Sequence, residues 1–411
     1  MNRLGRRFVW LCASDAATLL AGAAATTATP VLILSARGSG ADLAVVSVAL
    51  LAAQVLALVF GGLIADRRSR RDVMLLADLM QAAAAFSLSV TFERAPLQLL
   101  PVAAFTALRG VGLGFYLPAS QGILTQVVDA AKIQSANSIR RIIANVAQIG
   151  GAFLGAWLAG RYGSAILTFV GVSCLFGAVS RMGLREIPQV AEAQESWRQA
   201  AKQGVKAVVS RPWLLQTVAG FALINAAFLA CINVLGPMQA VTHLGGAEVW
   251  GSVSAATGVG SVLGAALALR LDPTKPLLRA LQYASLIALE PLALAVGSIS
   301  QVLVAALLTG AGIEVFGVLW VTVLQRSIPS QELSRVFAID ALGSYAIGPV
   351  GPVLAAVMVA HTNEVASLAS VGGLILLVCV ILIALSGSHG VDCASPDCET
   401  AGPSGTVLRQ N

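Results

Sequence analysis

Charge is what this chain has least of. Only 11% of its 411 residues are Asp, Glu, Lys or Arg, against about 25% in an ordinary soluble domain. Aromatic residues are few, at 6%, and there are three histidines and six cysteines. Cys12, Cys174, Cys231 and Cys379 fall within apolar stretches and read as small apolar residues. Cys393, Cys398 and a distant His389 do not make a full ligand set, so neither a metal nor a cofactor is expected. The chain has no Gly-Lys-Ser/Thr phosphate loop, no His-Glu-x-x-His and no acid-rich diphosphate motif. Those absences argue against an ATP-driven pump and against the commoner membrane enzymes. No catalytic set can be assembled, so the chain reads as something other than an enzyme.

Apolar residues fill the space that charge leaves, at 57%. A soluble core cannot absorb that much apolar surface, whereas a bilayer can. Twelve stretches are long enough to span, since a membrane helix needs about 20 mostly apolar residues. They run over 8–35, 42–65, 72–92, 97–125, 136–160, 164–184, 213–241, 247–270, 277–298, 300–326, 335–360 and 365–386. The first is too long for a signal peptide and is interrupted by Asp15.

The net charge of +6 follows the spans rather than forming a patch for nucleic acid. With the N-terminus inside, Arg37, Arg94 and Arg161 are the external bases and Arg109 lies within a span. Every other Lys and Arg of the 26 falls in a cytoplasmic segment. The reading is therefore a multi-pass protein of the inner or plasma membrane, in contact with lipid and not nucleic acid, with both termini cytoplasmic.

The longest polar interval between spans, 185–212, divides the chain. Trp197, Ala201, Val205 and Val208 recur there at helical spacing, which predicts an amphipathic helix at the membrane surface. The organisation expected is a six-helix bundle over 1–184, a cytoplasmic linker over 185–212, a second six-helix bundle over 213–386 and a disordered cytoplasmic tail over 387–411. A weak internal repeat relates the halves. Residues 118–133 and 319–333 each close a span with an amphipathic turn. Each then leads into a Gly-rich helix, at 149–156 and 347–354.

At the end of the second stretch, Gly62-Leu63-Ile64-Ala65-Asp66-Arg67-Arg68-Ser69-Arg70-Arg71 sets an acid and a cluster of bases where an apolar helix meets water. The run resembles the loop signature Gly-x-Leu-Ala-Asp-Arg-x-Gly-Arg-Arg of the major facilitator superfamily, with Ile64 for Leu and Ser69 for Gly. Phe115-Tyr116-Leu117-Pro118-Ala119, Trp320-x-Thr322-x-x-Gln325, Pro329 and Leu333-Ser334-Arg335-Val336 resemble its drug–proton antiporter branch, which includes macrolide efflux and enterobactin export proteins. The resemblance implies an all-α fold of twelve membrane helices in two bundles, working by alternating access. It implies a secondary transporter, expected as a monomer, that exports a small amphipathic drug, natural product or siderophore against protons. Uptake, lysolipid movement and a non-transporting receptor are the alternatives.

The resemblance implies that the loop is a latch. Gly62, Asp66, Arg67, Arg70 and Arg71 are expected to engage span 11 while the cytoplasmic side is closed, with Asp78 paired to Arg70 or Arg71. Ionisable groups inside a bilayer are costly and so mark function. Asp15 in span 1 is the first candidate proton carrier, and Arg109 in span 4 is its expected partner. Glu314 in span 10 is expected to carry a proton or to meet a cationic substrate. Asp340 in span 11 is the weaker candidate and could simply answer Arg335. Glu290, before Pro291 in span 9, has no evident partner in the sequence. Gly150, Gly151 and Gly155 are expected to let helices pack closely. Phe115, Tyr116, Phe228, Phe316 and Trp320 are candidates for cavity walls.

Overall fold

A computed structural model describes residues 6–65, 69–94, 96–128, 133–184, 197–271 and 273–386. No strand forms among them. The helices of the first half are α1 (Arg6–Ser35), α2 (Gly40–Ala65), α3 (Arg70–Phe92), α4 (Leu99–Val127), α5 (Ile133–Tyr162) and α6 (Ala165–Met182). After the linker helix α7 (Trp197–Val209) come α8 (Pro212–Ala230), α9 (Gly236–His243), α10 (Ala247–Ala268), α11 (Pro276–Ala284), α12 (Leu289–Val296) and α13 (Ile299–Ser327). The chain closes with α14 (Ser330–Ala346), α15 (Val350–His361) and α16 (Glu364–Ser386).

Among the described residues, eleven helical segments are long and apolar enough to cross a membrane. The eleventh of the twelve expected spans, 335–360, is not one helix. It breaks into α14 and α15 at Ile347, Gly348 and Pro349, because proline offers no N–H and disfavours helix in the residue before it. Two other spans carry irregular turns. A π-helical turn, Cys231–Leu235, joins α8 to α9 ahead of Pro237, and a 3-10 turn, Ser285–Ala288, joins α11 to α12 ahead of Pro291. At each place the ordinary ladder loses a donor and the backbone shifts register. The outward faces are apolar: Val172, Phe176 and Val179 on α6 and Leu377, Val380 and Ile381 on α16 are exposed, as lipid-facing side chains must be.

Small residues set the helix spacing. A Cβ at Gly151 or Gly155 would strike the backbone of Leu20 or Ala24, so α5 lies directly on α1, and Thr27 Oγ1 donates across the contact to Ala152 O at 2.8 Å. Gly150 faces open space instead. Gly260 and Gly310 play the same part between α10 and α13, against Leu307 and Thr257. Between halves, α5 packs on α10 and α2 on α15. These contacts draw the chain together at the end where bases are few. A Cβ at Gly160 would come within 2.9 Å of Ala247, and one at Gly40 within 2.8 Å of Met238 Sδ. The linker helix does not lie free on the membrane surface. Gly204 packs against Ile339 and the Arg335 carbonyl of α14, and Arg211 pairs with Glu332 at 2.9 Å.

Candidate functional site: a charged cluster and a central cavity

The first half holds a charge cluster in which Asp15, Asp78 and Arg181 are buried and Arg140 is nearly so. Arg181, in the last turn of α6, donates from Nε to Asp78 Oδ2 of α3 at 2.5 Å and from Nη2 to Thr18 Oγ1 at 3.0 Å. Its Nη1 lies 3.3 Å from Asp15 Oδ1. Arg140 of α5 grips the other oxygen of Asp15 through Nε at 2.9 Å and Nη2 at 2.7 Å. Tyr116 of α4 donates to Asp15 Oδ1 at 2.9 Å, and its ring lies under the Arg181 guanidinium at 5.2 Å. Thr18 completes the ring by donating to Asp78 Oδ1 at 2.9 Å. Two carboxylates thus meet two guanidinia, so the cluster is balanced in charge and saturated with donors, the condition for burying ions in low dielectric.

This arrangement corrects two expected pairings. Asp15 is held by Arg140 and Arg181, not by Arg109. Asp78 is held by Arg181, not by Arg70 or Arg71. The reason is depth: α5 and α6 run far enough for their base-rich ends to turn Arg140 and Arg181 inward. By sequence alone both read as plain orientation signals.

Arg109 takes another path. Buried on α4, it donates from Nη2 to Gly22 O at 2.9 Å and to Thr26 Oγ1 at 2.6 Å, both on α1. Its Nε finds no acceptor among the described residues. The side chain forms part of the wall of a cavity of about 410 Å3 between the two halves. Thr18 and Tyr116 reach the same cavity from the charge cluster. Phe228, Ile232 and Trp250 line it from the second half. Glu290 of α12 lines it too, and so gains a setting that the sequence did not suggest. Its carboxylate accepts from Thr257 Oγ1 at 3.1 Å.

Glu314 has a cationic partner after all. It faces Arg141 of α5 in a direct ion pair between the halves, a partner that lies 173 residues away in the chain. Arg141 is 66% exposed at its side chain and Glu314 is 20% exposed, so water reaches this pair. Asp340 accepts from Trp320 Nε1 at 3.1 Å. Trp320 continues a stack in which Phe221 and Phe316 lie parallel at 3.9 Å, so Phe316 and Trp320 serve packing rather than the cavity. In the loop signature, Asp66 and Arg67 lie outside the described residues, as do the surroundings of Gly62. Arg70 and Arg71 open α3, whose first turn is capped by Ser69 accepting from the Asp72 N–H at 3.1 Å.

The sequence pattern of the Major Facilitator Superfamily matches residues 9–290, more than half of the chain and all of the charge cluster. The chain belongs to the Major Facilitator Superfamily. Solved structures of similar fold agree. The nucleoside transporter NupG superposes with a TM-score of 0.76 at 12% identity, over 93% of this chain and 99% of that one. The peptide transporter POT in complex with sulfate gives 0.70 at 16% identity, over 94% and 95%. A D-xylose-proton symporter gives 0.68 at 14% identity, over 91% and 96%. At such identities the likeness is one of fold. No curated protein matches the sequence.

Proposed function

We propose that this facilitator-superfamily protein is a secondary active transporter that exports a small amphipathic molecule in exchange for protons, acting as a monomer. The supporting observation is the central cavity. It lies between the halves, is largely apolar, and is close in size to sites that enclose drug-sized ligands, which run from about 300 to 1,000 Å3. The excess of bases at the opposite end from the Gly160–Ala247 contact would place that end in the cytoplasm. The closed side is then external and the conformation faces inward.

In this reading the bundles 1–184 and 213–386 rock about the cavity. The Arg141–Glu314 pair is a contact between bundles that alternating access must make and break, which gives the cycle a differential interaction to act on. Protonating Glu314 would release Arg141. Asp15 couples more deeply: taking a proton there would loosen Arg140 from α1 and free Tyr116 on the cavity wall. Arg109 holds substrate in the cavity, and Asp340 is a secondary coupling acid beside Trp320. The basic loop from Gly62 to Arg71 acts as the latch on the cytoplasmic side. The test is accumulation of fluorescent amphipathic dyes by inverted vesicles carrying the protein. Accumulation that needs an acid interior and disappears on adding a protonophore is expected. Accumulation unaffected by the protonophore would rule out proton coupling.

A further inference from the structure

The ionisable groups of the membrane interior sort by partner. Asp15 and Asp78 are matched by Arg140 and Arg181, and Glu314 by Arg141. Arg109, Glu290 and Asp340 are left; Asp340 accepts from the neutral Trp320 away from the cavity, whereas Arg109 and Glu290 line the same cavity. Both are more than nine-tenths buried, at 2% and 1% exposure. Among the described residues neither has an oppositely charged partner. Arg109 touches only neutral oxygens, and Glu290 takes one side-chain hydrogen bond, from Thr257. The titratable neighbours are thiols, Cys174 near Arg109 and Cys231 near Glu290. Among the described residues, no other Asp, Glu, Lys or Arg lines the cavity.

An unmatched charge away from water costs several kcal/mol. Two unmatched charges of opposite sign on facing halves make a site that is incomplete until something brings both countercharges. We propose that the cavity takes a zwitterionic substrate, with its anionic end on Arg109 and its cationic end on Glu290. Arg109 supplies a planar donor fork suited to a carboxylate or similar anion. Glu290 supplies an acceptor for an ammonium group. The apolar wall between them, including Leu113, Ile149, Phe228 and Ile232, suits an uncharged middle. A neutral amphipath would leave both charges unanswered, and a singly charged one would leave one. Because Arg109 stands on α4 and Glu290 on α12, a molecule bridging them would also tie the halves together. The inference rests on the transporter reading for its consequence, but it can be tested by binding alone.

Four probes on one skeleton separate the charges: phenylalanyl-phenylalanine, its N-acetyl form, its amide, and the N-acetyl amide. They carry both charges, the anion only, the cation only, and neither. Binding to the purified full chain is followed by tryptophan fluorescence, to which Trp250 on the cavity wall contributes. The dipeptide is expected to bind at least tenfold more tightly than either singly charged form. Glu290→Gln should abolish the advantage of the dipeptide over its N-acetyl form and keep its advantage over the amide. Arg109→Gln should do the reverse, and Arg109→Lys should retain the wild-type order. Equal binding of the neutral form, equal losses for all four probes in both variants, or no binding of any of the four overturns the inference. If vesicles carrying the protein still accumulate dyes, only the charge rule has failed. If the charge rule holds but no compound is moved, the transporter reading fails instead.

Discussion

Removing Arg181 should destabilise the protein more than removing any other charge in it. The side chain is fully buried and joins α6 to α3 through Asp78 and to α1 through Thr18 and Asp15. Arg181→Met keeps most of the volume but leaves Asp78, equally buried, without a cation. It also leaves the cluster with two carboxylates against a single guanidinium, Arg140, which of the two reaches only Asp15. Breaking a buried pair by deleting one partner costs about 3–5 kcal/mol, which is roughly a hundredfold to several thousandfold in the folded population. The double variant Arg181→Met with Asp78→Leu removes one charge of each sign and leaves the Asp15–Arg140 pair whole. Replacing a buried ion pair with apolar groups is often close to neutral, so the double variant should recover most of the loss. The assay is unfolding of purified protein by sodium dodecyl sulfate, read by circular dichroism, for wild type, both single variants and the double. If the double variant loses the sum of the two single losses, the groups do not act as a pair and the account of the cluster is wrong.

Glu314→Gln should change stability by less than about 1 kcal/mol, because its partner is largely exposed. It should still shift the balance between inward- and outward-facing states, which spin-label distances across α5 and α10 would report. Gly155→Val drives side-chain atoms into the Ala24 backbone and should cost about 1–3 kcal/mol or more. Gly150→Ala faces open space and should be close to neutral in the same unfolding assay. Arg140→Gln should weaken the protein less than Arg181→Met, because Asp15 keeps Arg181 and Tyr116; a larger loss in the unfolding assay would mean that Arg140 carries the cluster.

Much of the fold could be read from the chain because membrane helices announce themselves by length and apolarity. The basic residues then counted the spans independently. The break between α14 and α15 was less legible. Pro349 and Pro352 suggest a bend, but whether a proline kinks a helix or ends it depends on its neighbours. The acids Asp15, Asp78 and Glu314 stood out because each interrupts an apolar run. Their partners did not, since a contact between residue 15 and residue 181 leaves no local pattern. Arg140, Arg141 and Arg181 lie near helix ends that also serve topology, and sequence alone does not tell an inward-turned arginine from an outward one. Glu290 had no role in the sequence because its setting is made by Thr257 and a cavity wall, drawn together only by the packing of α10 and α12 against α13.

The most direct measurement is proton movement by the reconstituted protein. Proteoliposomes enclosing a pH-sensitive dye are given an amphipathic substrate under an imposed gradient, with wild type beside Asp15→Asn and Glu314→Gln. The account predicts substrate-dependent proton movement by wild type that is lost in at least one variant, with substrate binding retained. Substrate movement without any proton signal, or a proton signal unchanged in both variants, would contradict it.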